Sequence, residues 1–443
     1  MHISLPKNVR KIIRILEEQG HEGYAVGGCV RDFLLGREPE DWDITTSAKP
    51  EEIKAIFRKT IDTGLAHGTI TVLLDGEGYE VTTYRVDGEY ADFRHPSEVL
   101  FTENLIADLK RRDFTINAMA YNESKGLIDV FGGRADLEKR VLRCVGEASE
   151  RFTEDALRIL RAVRFLAQLG FEMEAKTREA IGVLAGNLDH ISAERIQVEL
   201  IKLLCSNHPE YLKIAWETGI TAVILPEFDE MMKTEQNTPH HYTTVGEHTL
   251  AALQVSEKDK VLRLALLFHD SGKPLVRTTD DFGIDHFYGH AEESVERTRK
   301  ILHRLKFDND TLYQVTKLVK YHDLHPALTG RSVRKAIHKV GEALFPYLLK
   351  IQRADILAQN PDMQIEKLQK LEEVERIYQA ILQNQNCLSL KTLAVSGRDL
   401  IADGMKPGKE IGTVLNHLLA HVLEEPERNV KEYLIEYSRE FRA

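Results

Sequence analysis

Two glycines followed by an arginine, then two aspartates one residue apart, are the residues of this chain best suited to chemistry. Gly27 and Gly28 lack a Cβ, so the backbone there can turn tightly and bring its N–H donors against an anionic group. Arg31 lies one helical turn on and reaches the same anion with a planar donor fork. After the turn signal at 36–39 (GREP), Asp41 and Asp43 stand at strand spacing, which sends both carboxylates outward and Trp42 and Ile44 inward. Two adjacent carboxylates repel unless a cation lies between them. Mg²⁺ binds through one or two carboxylates plus substrate phosphates. Either half of the pattern alone is a common turn or a solvated edge. In the order strand, Gly-Gly, Arg, Asp-x-Asp, the two halves point to nucleotidyl transfer.

A second constellation begins near His248. The apolar run at 262–268 ends in His269-Asp270, and Tyr288-Gly-His290, Tyr321-His-Asp323 and Arg353-Ala-Asp355 follow. A lone histidine on an apolar helix is more often a packed core residue. A His-Asp doublet at a helix end, with histidine upstream and aspartate downstream, is a metal arrangement. Imidazole with carboxylate suits Mn²⁺, Fe, Ni or Mg²⁺ more than a thiolate-type zinc site.

The elements that must position these groups can be read from periodicity. Val9, Ile12, Ile13 and Leu16 form one stripe of a helix at 7–19, and 49–57 reads as a second helix. Residues 67–74 form a strand ending at Asp75-Gly76, and 79–85 alternate as its hairpin partner. Glu80 stands in that partner, where a third carboxylate beside Asp41 and Asp43 and a solvated strand glutamate fit the periodicity equally. Residues 86–99 are polar, aromatic-dotted and aperiodic, as in functional loops and in plain linkers. The basic triplet at 110–112 opens a helix running through 120, and Asp113, Thr115 and Asn117 suit a ribose and its phosphates. A helix is expected from Thr153, its N-cap, to 166. It puts Asp155 and Arg158 at i,i+3, with Arg161 and Arg164 continuing the line. Two readings stand there: a helix-surface ion pair, or a base reader. In the second, the carboxylate accepts from an exocyclic amine and the guanidinium donates to a ring acceptor, the edge shared by cytosine and adenine. A further helix at 192–204 has Ser192 as its cap. Residues 367–383 make a charged amphipathic helix. The Gly-containing turns near 396 and 408 carry basic residues suited to backbone phosphates or to ordinary capping.

The composition bounds these readings. At 443 residues several domains are expected. A hydrophobic share of 42% with 29% charged residues is that of a soluble globular protein. A net charge of −11 means that any polyanion must be held by local basic patches. The four cysteines (Cys29, Cys144, Cys205, Cys387) form no CxxC pair, which fits reduced thiols. No run is long enough to span a bilayer, and the start of the chain lacks a signal-peptide pattern. A cytoplasmic location and no membrane partner are expected.

Taken together, GGCVRD and DWD (27–43), RRDFTINAMA (111–120), EDALRILRAVRF (154–165), AERI (193–196), LLFHDSGKP (266–274), RADILAQ (353–359) and the SGRDLI…PGKEIG tail resemble the bacterial tRNA nucleotidyltransferase / poly(A) polymerase family of class II, with an inserted HD domain. The resemblance covers nearly the full length. It implies an α/β nucleotidyltransferase head with a polymerase β-like mixed sheet (1–145). An all-α neck that binds nucleotide and RNA (146–225), an HD domain (226–362) and a helical, tRNA-binding tail (363–443) would follow. It implies that Asp41 and Asp43 hold catalytic Mg²⁺, with Glu80 as a third carboxylate, and that Gly28, Arg31 and Arg112 contact the nucleotide. Asp155 and Arg158 would read the base, supported by Arg161 and Arg164. His248, His269, Asp270 and Asp355 would hold a second kind of divalent metal, with His290 and His322 left open for a further ion. The implied reaction is attack of a tRNA 3′-hydroxyl on the α-phosphorus of CTP or ATP, releasing pyrophosphate. Within the family the products are CCA, CC, a terminal A or poly(A). A candidate loop at 87–96 argues against CC alone. The HD domain would be a phosphatase, a 2′,3′-cyclic phosphodiesterase or a scaffold.

Overall fold

Val9, Ile12, Ile13 and Leu16 recur at helical spacing, and in the computed structural model they are the buried stripe of α1 (Lys7–Glu18). The structure describes residues 3–88, 99–238 and 243–441. The chain forms two compact units, Met1–Pro226 and Glu227–Ala443.

In the first unit α1 leads into β1 (Gly23–Val26), α2 (Gly28–Leu34) and β2 (Ile44–Thr46). After a helix over Pro50–Ile56 come β3 (Thr60–Gly64), β4 (Thr69–Leu74) and β5 (Glu77–Thr83). The β4–β5 hairpin closes through Asp75 (φ 53°) and Gly76 (φ 90°), positive at both centres as a tight two-residue turn requires. β6 (Arg85–Asp87) and β7 (Val99–Phe101) pair at the two ends of the expected loop, and residues 89–98 lie outside the described ones. Then come α3 (Leu105–Lys110), β8 (Ala120–Asn122) and β9 (Gly126–Ile128). Seven strands form one sheet in the order β3-β4-β5-β2-β1-β8-β9. β2 and β5 run parallel and the other neighbours antiparallel, so the sheet is mixed as expected.

The helix expected to open at residue 110 instead ends there. Beyond Lys110 the chain turns through a short 3₁₀ segment at Thr115–Asn117, where Asp113 accepts from the Phe114 N–H and the Asn117 amide and Thr115 donates to Asp136 rather than into a helical ladder. The helix expected from Thr153 is two helices, α4 (Ala148–Glu154) and α5 (Leu157–Leu169). Thr153 is not a cap: it lies inside α4, with its hydroxyl bonded to the Ser149 carbonyl. The break falls at Asp155, whose side chain accepts from the Leu157 N–H. Ser192 does stand at the N-cap of α6 (Ala193–Leu204), although its side chain makes no capping bond. One short parallel strand pair, Val141–Leu142 with Glu172–Met173, joins these helices.

A buried carboxylate locks the 111–117 turn onto α5. Asp113 accepts from Arg161 at 2.6 and 2.9 Å, and from the Asn117 amide and its neighbour's N–H. Phe114 meets Phe165 edge-on beside it.

The second unit is largely helical: α7 (Val245–Val255), α8 (Lys260–Phe268), α9 (His290–Arg304), α10 (Asn309–Tyr321), α11 (Phe345–Leu357) and α12 (Pro361–Gln383), with further helices that include Gly330–Val340 and Glu410–Glu424. One two-stranded hairpin, Thr278–Thr279 with Asp285–His286, departs from the expected all-helical architecture.

Burial tends to raise the Asp113 carboxyl, but Arg161 and the Asn117 amide outweigh it and hold it down at about 2. Its contribution to stability is therefore complete above the unfolded value of 3.8 and is lost as pH falls through about 2. Asp113→Asn leaves Arg161 without its counter-charge and is expected to cost about 3 kcal/mol at pH 7. Urea midpoints of variant and parent should differ at pH 7 and converge toward about pH 2.

Candidate active site

The first site grows from the end of β1. Gly27 has φ 80° and ψ −126°, a conformation costly for any side chain, and a Cβ there would stand 2.9 Å from Arg112 Nη1. The turn therefore lets the Arg112 guanidinium lie directly on the backbone. Asp41 and Asp43 do not sit in a strand as their spacing suggested. They precede β2, because β1 gives out at Val26, whose N–H takes the Asp43 carbonyl at 3.0 Å before Gly27 turns away. Both side chains still face solvent, while Ile44 is buried. Glu80 lies on β5 beside β2, where Ile44 pairs with Val81. Desolvation raises the Asp43 carboxyl, Arg112 opposes, and Asp41 raises it further. Glu80 is raised by desolvation and then by Asp43 and Asp41, so the three carboxylates share one field.

The cations around them are held by other acids. Asp108 is fully buried and accepts from Arg111 at 2.8 and 3.0 Å and from Arg112 at 3.5 Å. Arg112 Nε is buried with no hydrogen-bond partner among the described residues, a donor in want of an acceptor such as a phosphate. The Arg31 fork is already engaged: Nε and Nη2 on Asp32, Nη1 on Asn117 at 2.7 Å. Gly28 opens α2 directly beneath it, its missing Cβ 3.6 Å from Arg31 Nη2. Arg31, Arg161 and Arg164 all stand over the Phe165 ring. Arg164 is paired with Glu199 of α6 at 2.7 Å, and burial pushes its guanidinium down to about 10.

Of the two readings of Asp155 and Arg158, the ion pair on one helix face does not form, because the helix break turns them to different partners. Asp155 accepts from Arg195 at 3.1 Å. Arg158 donates to Glu154 at 2.6 Å and to the carbonyls of Arg151 and Arg111.

In the second unit the structure brings His248, His269, Asp270 and Asp355 together. His248 Nε2 lies 2.8 Å from Asp355 and 4.0 Å from Asp270, and His269 Nε2 lies 3.3 Å from Asp270 and 3.6 Å from Asp355. His290 and His322 join them: their Nε2 atoms lie 3.5 and 3.7 Å from the other oxygen of Asp270. Lys273 completes the surroundings of Asp270 at 2.7 Å. Burial works to lower His269, but the carboxylates of Asp270 and Asp355 outweigh it and push it up to about 10. Two groups here have metal-binding spacing, His248–His269–Asp270 and Asp270–His290–His322. His269 Nε2 is buried without a hydrogen bond of proper geometry, as a ligand nitrogen would be with its ion removed. The cluster opens on a cavity of about 580 Å³ lined by Lys273, Lys367 and Lys370 and by apolar side chains.

Comparison with known proteins places this geometry. Residues 23–143 match the family described as Poly A polymerase head domain. Residues 170–232 match the RNA and SrmB-binding site of polymerase A, and 286–438 the tRNA nucleotidyltransferase domain 2. The chain is 33% identical to a CCA-adding enzyme of Streptococcus mutans over 440 residues, 98% of each chain. The chain belongs to the family of CCA-adding enzymes. A CCA-adding enzyme of Levilactobacillus brevis is 36% identical over 96% of each chain. The crystal structure of the Bacillus stearothermophilus CCA-adding enzyme in complex with CTP superposes with a TM-score of 0.73 at 31% identity, over 97% of each chain. Membership makes this chain a nucleotidyltransferase, of a kind that uses divalent metal ions.

Some partners were not singled out from the sequence. Asp108 and Glu199 carry no local signal in the sequence, and only the structure shows that they hold arginines. Asp323 was named in the second constellation without a role, although His322-Asp323 repeats the His269-Asp270 doublet at the end of another helix. Gly27→Ala should lower stability by about 1–3 kcal/mol and displace Arg112 from the turn. A lower urea midpoint is the expected reading, and an unchanged one would mean that the turn accepts a side chain.

Proposed function

We propose that this chain adds C and A to the 3′ end of tRNA, using CTP and ATP and releasing pyrophosphate. The observation that carries the proposal is the meeting of Asp41, Asp43 and Glu80 with Arg112 at the Gly27 turn, in a chain whose relatives over its whole length are CCA-adding enzymes. Asp41 and Asp43 hold Mg²⁺, and Glu80 adds a third carboxylate to the same field. Mg²⁺, when bound, lowers the pKa of the RNA 3′-hydroxyl and neutralises charge on the leaving oxygens. Gly28 lets the triphosphate approach the backbone, and Arg112 supplies the unpartnered donor. Arg31 holds Asn117 and Asp32 in place beside it, so its contribution is partly positional. Asp155 accepts from the exocyclic amine of C or A, exchanging Arg195 for the base. Arg158 steadies this reader, and Arg161 and Arg164 fix the Phe165 face below. The relative crystallised with CTP supports a pyrimidine triphosphate as one substrate.

The working division is a head (1–145), a neck (146–225), an HD domain (226–362) and a helical tail (363–443) that binds tRNA. The protein works in the cytoplasm, which its four free cysteines support. Among the described residues no helix is long and apolar enough to cross a membrane.

A second activity is proposed for the HD domain: His248, His269, Asp270 and Asp355 hold a divalent metal, and the unit hydrolyses phosphate esters at RNA ends. The histidine cluster and its lysine-lined cavity support it.

Purified protein should label transcripts ending before CC with both nucleotides, and those ending in CC with A alone. Label entering only the CC-ended transcript would make it an A-adding enzyme, and long A tails a poly(A) polymerase. Asp43→Ala should abolish incorporation while phosphatase activity persists; incorporation that survives would overturn the head mechanism. Asp155→Ala should relax selection against UTP and GTP more than it weakens triphosphate binding, and unchanged selectivity would remove Asp155 from base reading.

A further inference from the structure

Asp113, Thr115 and Asn117, which by type suit a ribose, are turned toward the protein instead. Thr115 donates to Asp136 at 2.7 Å, and a Cβ on Gly133 would come within 2.2 Å of the Thr115 carbonyl oxygen. The segment is also tied to the Gly27 turn, whose N–H donates to the Met119 carbonyl at 3.1 Å. Asp113 gives one carboxylate oxygen to the Phe114 N–H and the Asn117 amide, and the other to both bonds from Arg161. Asn117 itself is only 6% exposed.

The Asn117 amide stands between two arginines that are distant in the sequence. Its Oδ1 accepts from Arg31 Nη1 at 2.7 Å, and its Nδ2 donates to Asp113 Oδ1 at 3.1 Å. A guanidinium only donates and a carboxylate only accepts, so the amide can be oriented in one way alone. Asp113 in turn holds Arg161 of α5. A continuous line of bonds therefore runs from α2 to α5 through Arg31, Asn117, Asp113 and Arg161. Its two guanidinium ends lie over one ring, 5.1 and 5.4 Å from the centre of Phe165. Among the described residues, three of the five Arg31 N–H groups are bound, two to Asp32 and one to Asn117. Two remain for a phosphate. Asp32 grips one edge of the fork, and Asn117, on the other nitrogen, fixes where the remaining donors point.

We propose that Asn117 is a positioning residue for nucleotidyl transfer: its amide, oriented by Asp113, aims the Arg31 guanidinium at the triphosphate and makes no contact with the ribose. This rests on the reading of Arg31 as a triphosphate contact. The same carboxylate orients the amide and holds α5, so the phosphate arginine and the helix that carries Arg158 share one support.

The test compares sugars and combines variants. Asn117→Ala and Asn117→Ser both remove the acceptor from Arg31. C addition is measured on transcripts ending before CC, with CTP and with 2′-deoxy-CTP, and A addition on transcripts ending in CC. The KM for each triphosphate should rise about tenfold, while the KM for the transcript stays at the parent's value. The preference for CTP over 2′-deoxy-CTP should not change. A loss confined to CTP, with 2′-deoxy-CTP unaffected, would overturn the proposal in favour of a ribose contact. That preference is a ratio within one preparation, so it holds its meaning even where part of a variant is unfolded. In a second arm, Arg31→Lys is combined with Asn117→Ala. The double variant should be no worse than Arg31→Lys alone, because no guanidinium is left to aim. Additive losses would overturn the positioning role. A triphosphate KM unchanged in Arg31→Lys would remove the underlying reading of Arg31. A raised KM there, with both Asn117 variants like the parent, would overturn this proposal alone.

Discussion

The first unit depends on buried carboxylates that hold guanidinium groups in place. Asp108 grips Arg111 and Arg112, Asp113 grips Arg161, and Glu199 grips Arg164. A lone buried charge of either sign is expensive, so each member fixes the other. The result is a set of arginines whose positions are settled by the fold before any nucleotide arrives. Preorganised cations of this kind need no reordering when a polyphosphate binds. Burial resists the ionised Asp108, yet Arg112 and Arg111 keep it below the ordinary carboxylate range.

Against that cationic frame stand Asp41, Asp43 and Glu80; desolvation and then the neighbouring carboxylates raise the carboxyls of Asp43 and Glu80. The contrast with Asp108 and Asp113 is informative. The inner acids have arginines for partners, whereas the outer acids have Arg112 and each other. Their unmet demand for positive charge is what a divalent ion supplies. The thiol of Cys29 packs behind Asp43, bonded to the Val26 carbonyl, and burial pushes it up to about 12, so it serves as filler rather than as a nucleophile.

The second unit solves a related problem with imidazoles in place of guanidinium groups. Its His269 and His322 are oriented by carbonyls of the helices they end, and the negative charge comes from Asp270 and Asp355. Both carboxyls lie well below their ordinary range despite burial, because imidazoles, and for Asp270 also Lys273, surround them. Two unrelated arrangements in one chain thus expose the same chemistry, a cluster of ligands poised for a divalent ion.

Residue type and spacing by themselves determined α1, the β4–β5 hairpin, the Gly-Gly turn with its two aspartates, and the His-Asp doublet at the end of α8. These are local: the 3.6-residue and two-residue periods and the glycine turn are set by a few neighbouring residues. Periodicity failed where side chains competed with the backbone. Asp155 breaks the helix that runs through its neighbours, and the residues after Lys110 bond to one another instead of continuing α3. Only the tertiary structure decided whether Glu80 joins Asp41 and Asp43, because that depends on β5 lying parallel to β2 across 37 residues of chain. It alone brought His290, His322 and Asp323 to the far side of Asp270, and gave Asp155 and Arg158 different partners. Charge pairing acts through space and at short range, so which acid meets which cation is settled only when the elements have packed.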